Sequence, residues 1–259
     1  MLRTVTFTGA DESVAPSMMP GEIGDLSLRF PYVEWGILVS QAKTGTCPRY
    51  PGIEWIKKLK DISDPYDPNY PKLSLHVCGR WGRNLLLGKV DGALVKILSM
   101  ANFSRIQINC SDPAYNVESM CIDPQGAFKG REIIVPVGKQ KNKKLFECTR
   151  EGGMHVVPMF DESGGKGISA NEWPTPDEMT GPCHPRPLKY GYAGGLGPDN
   201  IAQELEKIDR KMNANNRPLL LPDFWVDMET KIRSSDDRIF DLNKVKAVIN
   251  AVEEFRNFQ

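Results

Sequence analysis

The sequence lacks the features that mark membrane, secreted and zinc-binding proteins. Its six cysteines are widely spaced and form no CxxC pair, which argues against a structural zinc site. No apolar run approaches the roughly 20 residues that a membrane-spanning helix needs. The first residues, MLRTVTFTGADES, contain no apolar core of a signal peptide. We therefore expect a soluble cytoplasmic protein whose cysteines are free, buried thiols.

The sequence also has no excess of either charge. Lys+Arg and Asp+Glu number 33 each, so the formal net charge is zero. A balanced charge gives no electrostatic reason to expect nucleic acid or an anionic membrane as a partner. Hydrophobic residues make up 40% of the chain, enough for a globular core. We expect a monomer or homodimer that binds a small molecule.

Eight short apolar runs, several ending in glycine or a small polar residue, recur along the chain and predict strands. They cover residues 5–8, 36–40, 73–77, 106–110, 133–137, 155–160, 190–193 and 224–228. Apolar residues at helical spacing between and after them predict helices. These cover residues 52–60, 82–89, 93–100, 199–212 and 242–255, with Asp199 and Asp241 as N-caps of the last two.

Strands that alternate with helices indicate βα units and a parallel sheet. Eight such units in 259 residues match the size of a closed (β/α)8 TIM barrel. An open doubly wound sheet is the alternative, but it usually carries a glycine-rich turn after its first strand, and VTFTGADES has a single glycine. We predict an α/β fold in which residues 1–259 form one barrel domain.

Two proline-rich stretches interrupt the alternation. Residues 13–31 predict a long loop with a short helix late in it. Residues 169–187 contain five prolines and predict an irregular loop on the face where barrels hold their active sites. That loop is either a lid over the substrate or a passive insertion.

The segment YGYAGGLGPDNI at residues 190–201 runs from a strand through glycines into a helix. Gly194 and Gly195 let backbone N–H groups approach an oxyanion, and the helix adds the positive end of its dipole. In barrels the loops after strands seven and eight form a recurrent phosphate site. A plain tight turn is the alternative, but we predict that this segment binds a phosphate group.

A second glycine cluster follows the sixth predicted strand. Asp161 stands at the end of that strand, and Gly164, Gly165 and Lys166 come shortly after it. We predict that the two glycines bind the same phosphate and that Asp161 is a catalytic carboxyl group. A helix cap or a loop hydrogen bond is the alternative role for Asp161.

The order of these motifs resembles phosphoribosylanthranilate isomerase, the (β/α)8 barrel enzyme of tryptophan synthesis. AGGLGPDNI at residues 193–201 is similar to the family's phosphate-binding turn, and WVDMET at residues 225–230 is similar to its last strand. Glu229 and Thr230 stand where the family has a serine-rich phosphate loop. CPRY at residues 47–50 resembles a segment whose arginine, here Arg49, holds the anthranilate end of the substrate. The resemblance is strongest in the C-terminal part of the chain.

The resemblance implies an Amadori rearrangement, in which an N-glycosidic aldose phosphate becomes an aminoketose. A general acid opens the ribose ring, and a general base removes the proton from C2′. Asp161 matches the family's acid, Thr8 occupies the position of its cysteine base, and Asn109 replaces a histidine. A threonine hydroxyl is a very poor base. The resemblance therefore predicts a phosphate-binding barrel with an altered general base.

Asp11, His76, Cys78 and Cys110 are the other candidates for the base. Asp11 follows the first strand, and the other three lie near the ends of strands three and four. Histidine titrates nearest to neutrality, although a buried structural role for His76 is an equal interpretation. His76 and the two cysteines do not have the spacing of a known metal site, so we predict neither a metal nor a cofactor.

Three functions remain open from the sequence. They are an isomerase of a phosphorylated sugar derivative, a different enzyme on the same barrel such as a lyase or epimerase, and a non-catalytic binder. An ionisable group across the cavity from Asp161 would favour an enzyme, whereas Thr8 and Asn109 alone would favour a binder. An inward-pointing Arg49 would favour an aryl carboxylate as substrate.

Overall fold

Eight parallel strands pair in chain order and close into a barrel, because the first strand pairs with both the second and the last. The computed structural model describes residues 1–63, 71–109, 130–138, 146–147, 155–161, 167–168, 170–181, 189–213 and 222–257. The strands are β1 (Leu2–Thr8), β2 (Val33–Ser40), β3 (Lys72–Cys78), β4 (Phe103–Asn109), β5 (Glu132–Pro136), β6 (Val156–Phe160), β7 (Lys189–Ala193) and β8 (Asp223–Met228). Each predicted strand overlaps one of these, so the predicted TIM barrel is confirmed.

Helices in the described residues follow the strands along the chain. They are α1 (Ile23–Arg29), α2 (Ile53–Lys58), α3 (Gly79–Leu86), α4 (Gly92–Leu98), α5 (Pro176–Thr180), α6 (Ile201–Asn213) and α7 (Leu242–Asn257), with 3-10 helices at Leu59–Ile62 and Thr230–Ile232. The first of them is the short helix predicted late in the first loop. In the part of the chain that the structure describes, no helix has the length and apolar character needed to cross a membrane.

The predicted N-caps have different outcomes. Asp241 Oδ1 accepts a hydrogen bond of 3.0 Å from the backbone N–H of Asn243, so it caps α7 as predicted. Asp199 does not directly precede α6, which begins at Ile201. Asn200 stands between them, and the carbonyl of Gly197 accepts the Ile201 N–H at 2.9 Å, so the turn before the helix is fixed by backbone hydrogen bonds.

Two further expectations about helices are wrong in detail. The helix predicted at residues 82–89 spans Gly79–Leu86 instead. Its buried side includes Trp81, which precedes the predicted start. Residues 169–187 are not irregular throughout, because α5 lies within them. Thr175 and Glu178 exchange side-chain and backbone hydrogen bonds at the start of α5, a capping box that proline at the first helical position favours.

Strand residues alternate between the helix-covered side and the interior of the barrel. On β1, Val5 and Phe7 belong to the large apolar core outside the barrel. Thr6 and Thr8 point inward, where each hydrogen-bonds a carboxyl group on a neighbouring strand. The same alternation on β3 places His76 in the interior, since Leu75 and its neighbours pack in the outer core.

The interior of the barrel has a mainly apolar half and a polar half, and Glu132 on β5 and Asp227 on β8 are buried carboxyl groups on the apolar side. Strands β5 to β8 contribute an apolar cluster of Ile134, Val157, Met159, Ala193 and Trp225. Strands β1 to β4 contribute buried polar side chains, which are Thr6, Thr8, Glu34, Ser74, His76, Arg105 and Gln107. Barrel interiors are usually filled by branched apolar residues. The polar half therefore needs either internal pairing or a chemical role.

Internal pairing accounts for the charges near the N-terminal ends of the strands. Arg105 pairs with Glu34 at 3.0 Å and with Glu132 at 2.8 Å. Its guanidinium lies 4.2 Å from the ring centroid of Trp225, and Lys189 pairs with Glu132 at 2.9 Å. Buried charges are tolerated when they are paired in this way. We therefore assign this network a structural role.

Gly191 on β7 provides the space that Trp225 fills inside the barrel. A Cβ at this position would lie 2.3 Å from the indole ring and 2.8 Å from the side chain of Met159. We expect Gly191→Ala to lower the free energy of unfolding by about 1–3 kcal/mol, the usual cost of overpacking a core, in chemical denaturation. The control is Gly92→Ala in α4, where a Cβ meets nothing within 4 Å. Equal effects of the two changes would contradict this packing.

Candidate active site

Thr8 and Asp227 form a hydrogen-bonded pair at the C-terminal ends of the strands, the end of the barrel called the mouth below. Thr8 ends β1, Asp227 precedes the last residue of β8, and the two strands are neighbours. Thr8 Oγ1 donates a hydrogen bond of 2.7 Å to Asp227 Oδ1. Gly36 on β2 makes room for this pair, because a Cβ there would lie 2.2 Å from Thr8 Oγ1.

Asp227 is a buried carboxyl group that holds its proton at neutral pH. Burial raises its pKa to about 8, and the nearby charges of Glu229, Glu34 and Asp161 act in the same direction. The hydrogen bond from Thr8 opposes these effects because it stabilises the carboxylate. A carboxyl group that is protonated at pH 7 can donate its proton during a reaction.

Asp161, the carboxyl group predicted to be catalytic, directly follows β6 and is partly exposed. Its negative charge is one of the causes of the raised pKa of Asp227, so the two carboxyl groups are near enough to interact. The mouth thus receives one carboxyl group from β6 and another from β8. The strands that position these two groups, β6 and β8, are separated by β7 alone.

His76 does not serve as a base at neutral pH in this structure. Its Nε2 lies 3.1 Å from Ser74 Oγ inside the barrel, and the ring is fully buried. Burial, reinforced by the charge of Arg105, lowers the pKa of His76 to about 3. The ring is therefore neutral and a very weak proton acceptor, and the structural interpretation of His76 is the one that the geometry favours.

Asp11, another candidate for the base, is held in an ion pair. Arg233 Nη2 donates to Asp11 Oδ2 at 2.7 Å, and the backbone N–H of Arg49 donates to the same oxygen at 2.9 Å. Burial alone would raise the pKa of Asp11, but hydrogen bonds from Ser13, Arg49 and Arg233 hold it below its usual value. A carboxylate held in this way accepts protons poorly at neutral pH.

Arg49 points into the mouth region but is already paired. Its Nε donates to Asp237 Oδ2 at 2.7 Å, and its Nη1 donates to Glu229 Oε1. Arg49 and Asp237 both adopt left-handed backbone angles, with φ of 65° and 61°, which non-glycine residues rarely do. The arginine predicted to hold an aryl carboxylate is thus occupied by two carboxylates of the protein.

Asn109 and Cys78 end adjacent strands and bind each other. Asn109 Nδ2 donates to Cys78 Sγ at 3.5 Å, and its Oδ1 accepts from Gln107 at 2.8 Å. Burial raises the pKa of Cys78 to about 11, so this thiol is protonated and a poor base at neutral pH. Cys47 and Cys78 are both free, but Cys47 is exposed, which corrects the expectation of buried thiols. Cys110 lies outside the described residues.

Gly194 and Gly195 form the turn after β7, with φ of 114° and 62°. Glycine adopts these angles without the strain that a side chain would cause. Asn200 braces the turn, because its Nδ2 donates to the Gly195 carbonyl at 3.0 Å and its Oδ1 accepts from the Gly197 N–H at 2.9 Å. Residues 196–200 connect the turn to the N-terminus of α6, and the Gly197 N–H in this segment is already bonded to Asn200.

Two other loops converge on this turn. A Cβ at Gly197 would lie 2.4 Å from Lys231 Cβ, and a Cβ at Gly167 would lie 2.9 Å from Thr230 Cβ. The segments after β6, β7 and β8 therefore meet at the short 3-10 helix Thr230–Ile232. Phosphate binding by these loops stays a prediction.

Of the other residues predicted to bind phosphate, the structure describes Glu229 and Thr230. Gly164 and Gly165 lie outside the described residues, so their role stays a prediction. Thr230 begins the 3-10 helix after β8. Glu229 precedes it, but its carboxylate is turned to Arg49, so any contribution of Glu229 to phosphate binding would come from its backbone.

Sequence reasoning missed Asp227, Arg233 and Asp237. Asp227 carries a usable signal, because it is a carboxylate at an inward position near the end of a strand. The sequence gives no sign of the other two. They lie in the loop after β8, and their partners, Asp11 and Arg49, come from the first two loops of the barrel.

Comparisons with known proteins add nothing to the assignment of function. No protein-family model matches the chain, and no curated protein matches it significantly. Among solved structures, the carboxyl transferase domain of Rhizobium etli pyruvate carboxylase, solved with pyruvate, is similar with a TM-score of 0.45 and 10% identity. The match covers 99% of this chain and 48% of that one, so this chain spans about half its length. A likeness this distant carries no functional argument.

Asp227→Asn tests whether the carboxyl group is protonated in the folded protein. Folding raises this pKa from 3.8 to about 8, so its stabilising contribution is complete below about pH 4 and is lost as the pH rises through about 8. We expect the wild type to lose unfolding free energy over this range, on the order of a few kcal/mol. The asparagine variant lacks this loss and becomes the more stable protein at about pH 9.

The measurement is chemical denaturation across this pH range. The control is Glu254→Gln, because Glu254 is exposed on α7 and its variant should keep the pH dependence of the wild type. Parallel stability curves for the wild type and Asp227→Asn would contradict a protonated Asp227.

Proposed function

We propose that the protein is an acid–base isomerase of a small phosphorylated sugar derivative, with chemistry like that of phosphoribosylanthranilate isomerase. The observation that carries this proposal is the Thr8–Asp227 pair, a buried carboxyl group held at the mouth of the barrel. Its raised pKa is near the pH at which a proton donor works best.

Asp227 and Asp161 supply the two proton-transferring groups that an aldose–ketose rearrangement requires. Asp227 is the proton donor, because it keeps its proton at neutral pH. Asp161 is the proton acceptor, and its negative charge helps to keep Asp227 protonated. The family resemblance implies that Asp161 is the general acid, whereas here Asp161 is the base. Thr8 therefore does not need to act as a base.

Thr8 is a positioning residue in this proposal. Its hydroxyl hydrogen bond fixes Asp227 Oδ1, which leaves Oδ2 to carry the proton. The hydrogen bond also keeps the pKa of Asp227 from rising further. The threonine in place of the family's cysteine therefore has a physical function without acting as a base.

The proposed reaction conserves every proton. Asp227 protonates the ribose ring oxygen, the bond from C1′ to that oxygen breaks, and the amine nitrogen forms a double bond to C1′. Asp161 removes the proton from C2′, which gives an enaminol. Asp161 then returns that proton to C1′, and Asp227 recovers a proton from the C2′ hydroxyl as the ketone forms. Both carboxyl groups end in their starting states.

The glycine turn after β7 supports a phosphorylated substrate. Gly194 and Gly195 open a loop that leads into α6, a helix of 13 residues, and backbone N–H groups at such a position bind oxyanions. A phosphate held at β7 and β8 would place the rest of a pentose between β6 and β1. Asp161 follows β6, and Asp227 lies on β8, the strand that pairs with β1.

Turnover of N-aryl ribosylamine phosphates tests the proposal. These compounds form from ribose phosphate and an arylamine, and their conversion to the aminoketose can be followed by chromatography. We expect the wild type to catalyse this conversion and Asp161→Asn and Asp227→Asn each to lose about 100-fold or more in kcat, the usual contribution of a general acid or base. Absence of turnover in folded wild type that binds inorganic phosphate would contradict an isomerase.

The pH dependence of kcat/KM tests the assignment of Asp227 as the acid. Activity should fall as the pH rises through about 8, where the group loses its proton. Thr8→Val should move this fall to higher pH, because the hydroxyl that stabilises the carboxylate is gone. The control, Thr46→Val, changes an exposed hydroxyl and should leave the profile unchanged. Activity that instead rises through this pH would identify Asp227 as the base.

A further inference from the structure

We propose that Gly36 is a positioning residue for Asp227: the absence of a side chain at this position of β2 keeps the Thr8 hydroxyl in the orientation that donates to the Asp227 carboxyl group. The inference rests on the proposed function, which gives Asp227 its role as the proton donor. The effect of Gly36 on the hydrogen bond itself does not depend on which reaction the protein catalyses.

The backbone conformation does not explain a glycine at position 36. Gly36 lies inside β2, where it pairs with Thr8 of β1 and with Ser74 of β3. It is not among the glycines with a positive φ, so an alanine could adopt the same backbone conformation. A glycine inside a strand weakens the strand and often marks a place where another group approaches closely. The reason for the glycine therefore lies in the space around it.

Thr8 fills the space beside Gly36. A Cβ at position 36 would lie 2.2 Å from Thr8 Oγ1 and 3.0 Å from Thr8 Cβ, both well inside the roughly 3.5 Å at which non-bonded carbon atoms pack. Thr8 Oγ1 is also the atom that donates to Asp227 Oδ1 at 2.7 Å. The hydroxyl that holds the carboxyl group therefore occupies the space that Gly36 leaves.

The Thr8 hydroxyl has little freedom to make way for a side chain at position 36. Threonine carries two heavy atoms on Cβ and has few χ1 rotamers, so its hydroxyl moves only in large steps. A methyl group at position 36 would displace Oγ1 from its present rotamer. The hydrogen bond to Asp227 Oδ1 would then be lost.

His76 closes the other side of this space. A Cβ at position 36 would lie 2.9 Å from His76 Nε2, and this nitrogen lies 3.1 Å from Ser74 Oγ inside the barrel. His76 is buried. The backbone fixes the position of a Cβ, so only its neighbours can move, and the Thr8 hydroxyl is the nearest of them.

The titration of Asp227 reports on this hydrogen bond. Three other carboxyl groups raise the pKa of Asp227 by their negative charges, and they are Glu229, Glu34 and Asp161. None of them is among the atoms nearest to a Cβ at Gly36, so their charges remain in a Gly36→Ala variant. The hydrogen bond from Thr8 acts in the opposite direction. Its loss should therefore raise the pKa of Asp227 further.

Infrared titration of Asp227 tests the inference without requiring turnover. The proteins are the wild type, Gly36→Ala, Thr8→Ala and the variant with both changes, and the spectrum of each is subtracted from that of its Asp227→Asn counterpart. The matched control is Gly191→Ala, which overpacks the interior against Trp225 at 2.3 Å without meeting Thr8. Chemical denaturation and turnover are measured in parallel.

We expect Gly36→Ala and Thr8→Ala each to move the midpoint of the carbonyl band upward from about pH 8. The shift should be about one pH unit, as for the loss of one hydrogen bond to a charged group. The double variant should shift it no further, because both changes remove the same bond. Gly191→Ala should titrate as the wild type does. Gly36→Ala should also destabilise the Thr8→Ala protein less than the wild type, because the nearest atom is then absent.

The outcomes separate the inference from the proposed function. An unchanged midpoint in folded Gly36→Ala, or additive shifts in the double variant, would overturn the inference. If Gly36→Ala does not fold, folding of the double variant would support the inference, and failure of both to fold would overturn it. The predicted shifts without turnover by the wild type would support the inference and contradict the isomerase. Turnover with an unchanged midpoint would overturn the inference and leave the isomerase standing.

Discussion

The hydrogen bond from Thr8 to Asp227 joins the first strand of the barrel to the last and fixes the chemistry of the mouth. It holds a carboxyl group in the buried interior, where the group keeps its proton. Paired arginines elsewhere in the mouth are committed to Asp11, Glu229 and Asp237. These cations neutralise other carboxylates, so Asp227 is left without an arginine partner and its pKa is about 8.

Buried polar side chains inside the barrel lie at two levels along the strands. Near the N-terminal ends of the strands, Arg105 forms ion pairs with Glu34 and Glu132. We assign these ion pairs a structural role. Near the C-terminal ends, Thr8 donates a hydrogen bond to Asp227, the carboxyl group that we propose as the proton donor. The neutral ring of His76 lies in the same interior but remains structural.

The fold could be predicted from the sequence because barrel strands and helices carry strong local signals. Short apolar runs marked all eight strands, and their alternation with helices left few architectures. The position of Asp161 directly after β6 was predicted as well, whereas its catalytic role stays a prediction. The burial of Asp227 could not be predicted, because it depends on which side chains of the neighbouring strands lie beside it. The pairing of Arg49 with Glu229 spans 180 residues of sequence, and no local pattern contains it.

Infrared difference spectroscopy of the wild type against Asp227→Asn tests the central claim most directly. A protonated carboxyl group has a carbonyl stretch that a carboxylate lacks, so the difference spectrum isolates this one group. The account requires the band to be present at neutral pH and to disappear with a midpoint at about pH 8. Absence of the band at neutral pH, with the carboxylate in its place, would show that Asp227 is ionised and would contradict its role as the proton donor.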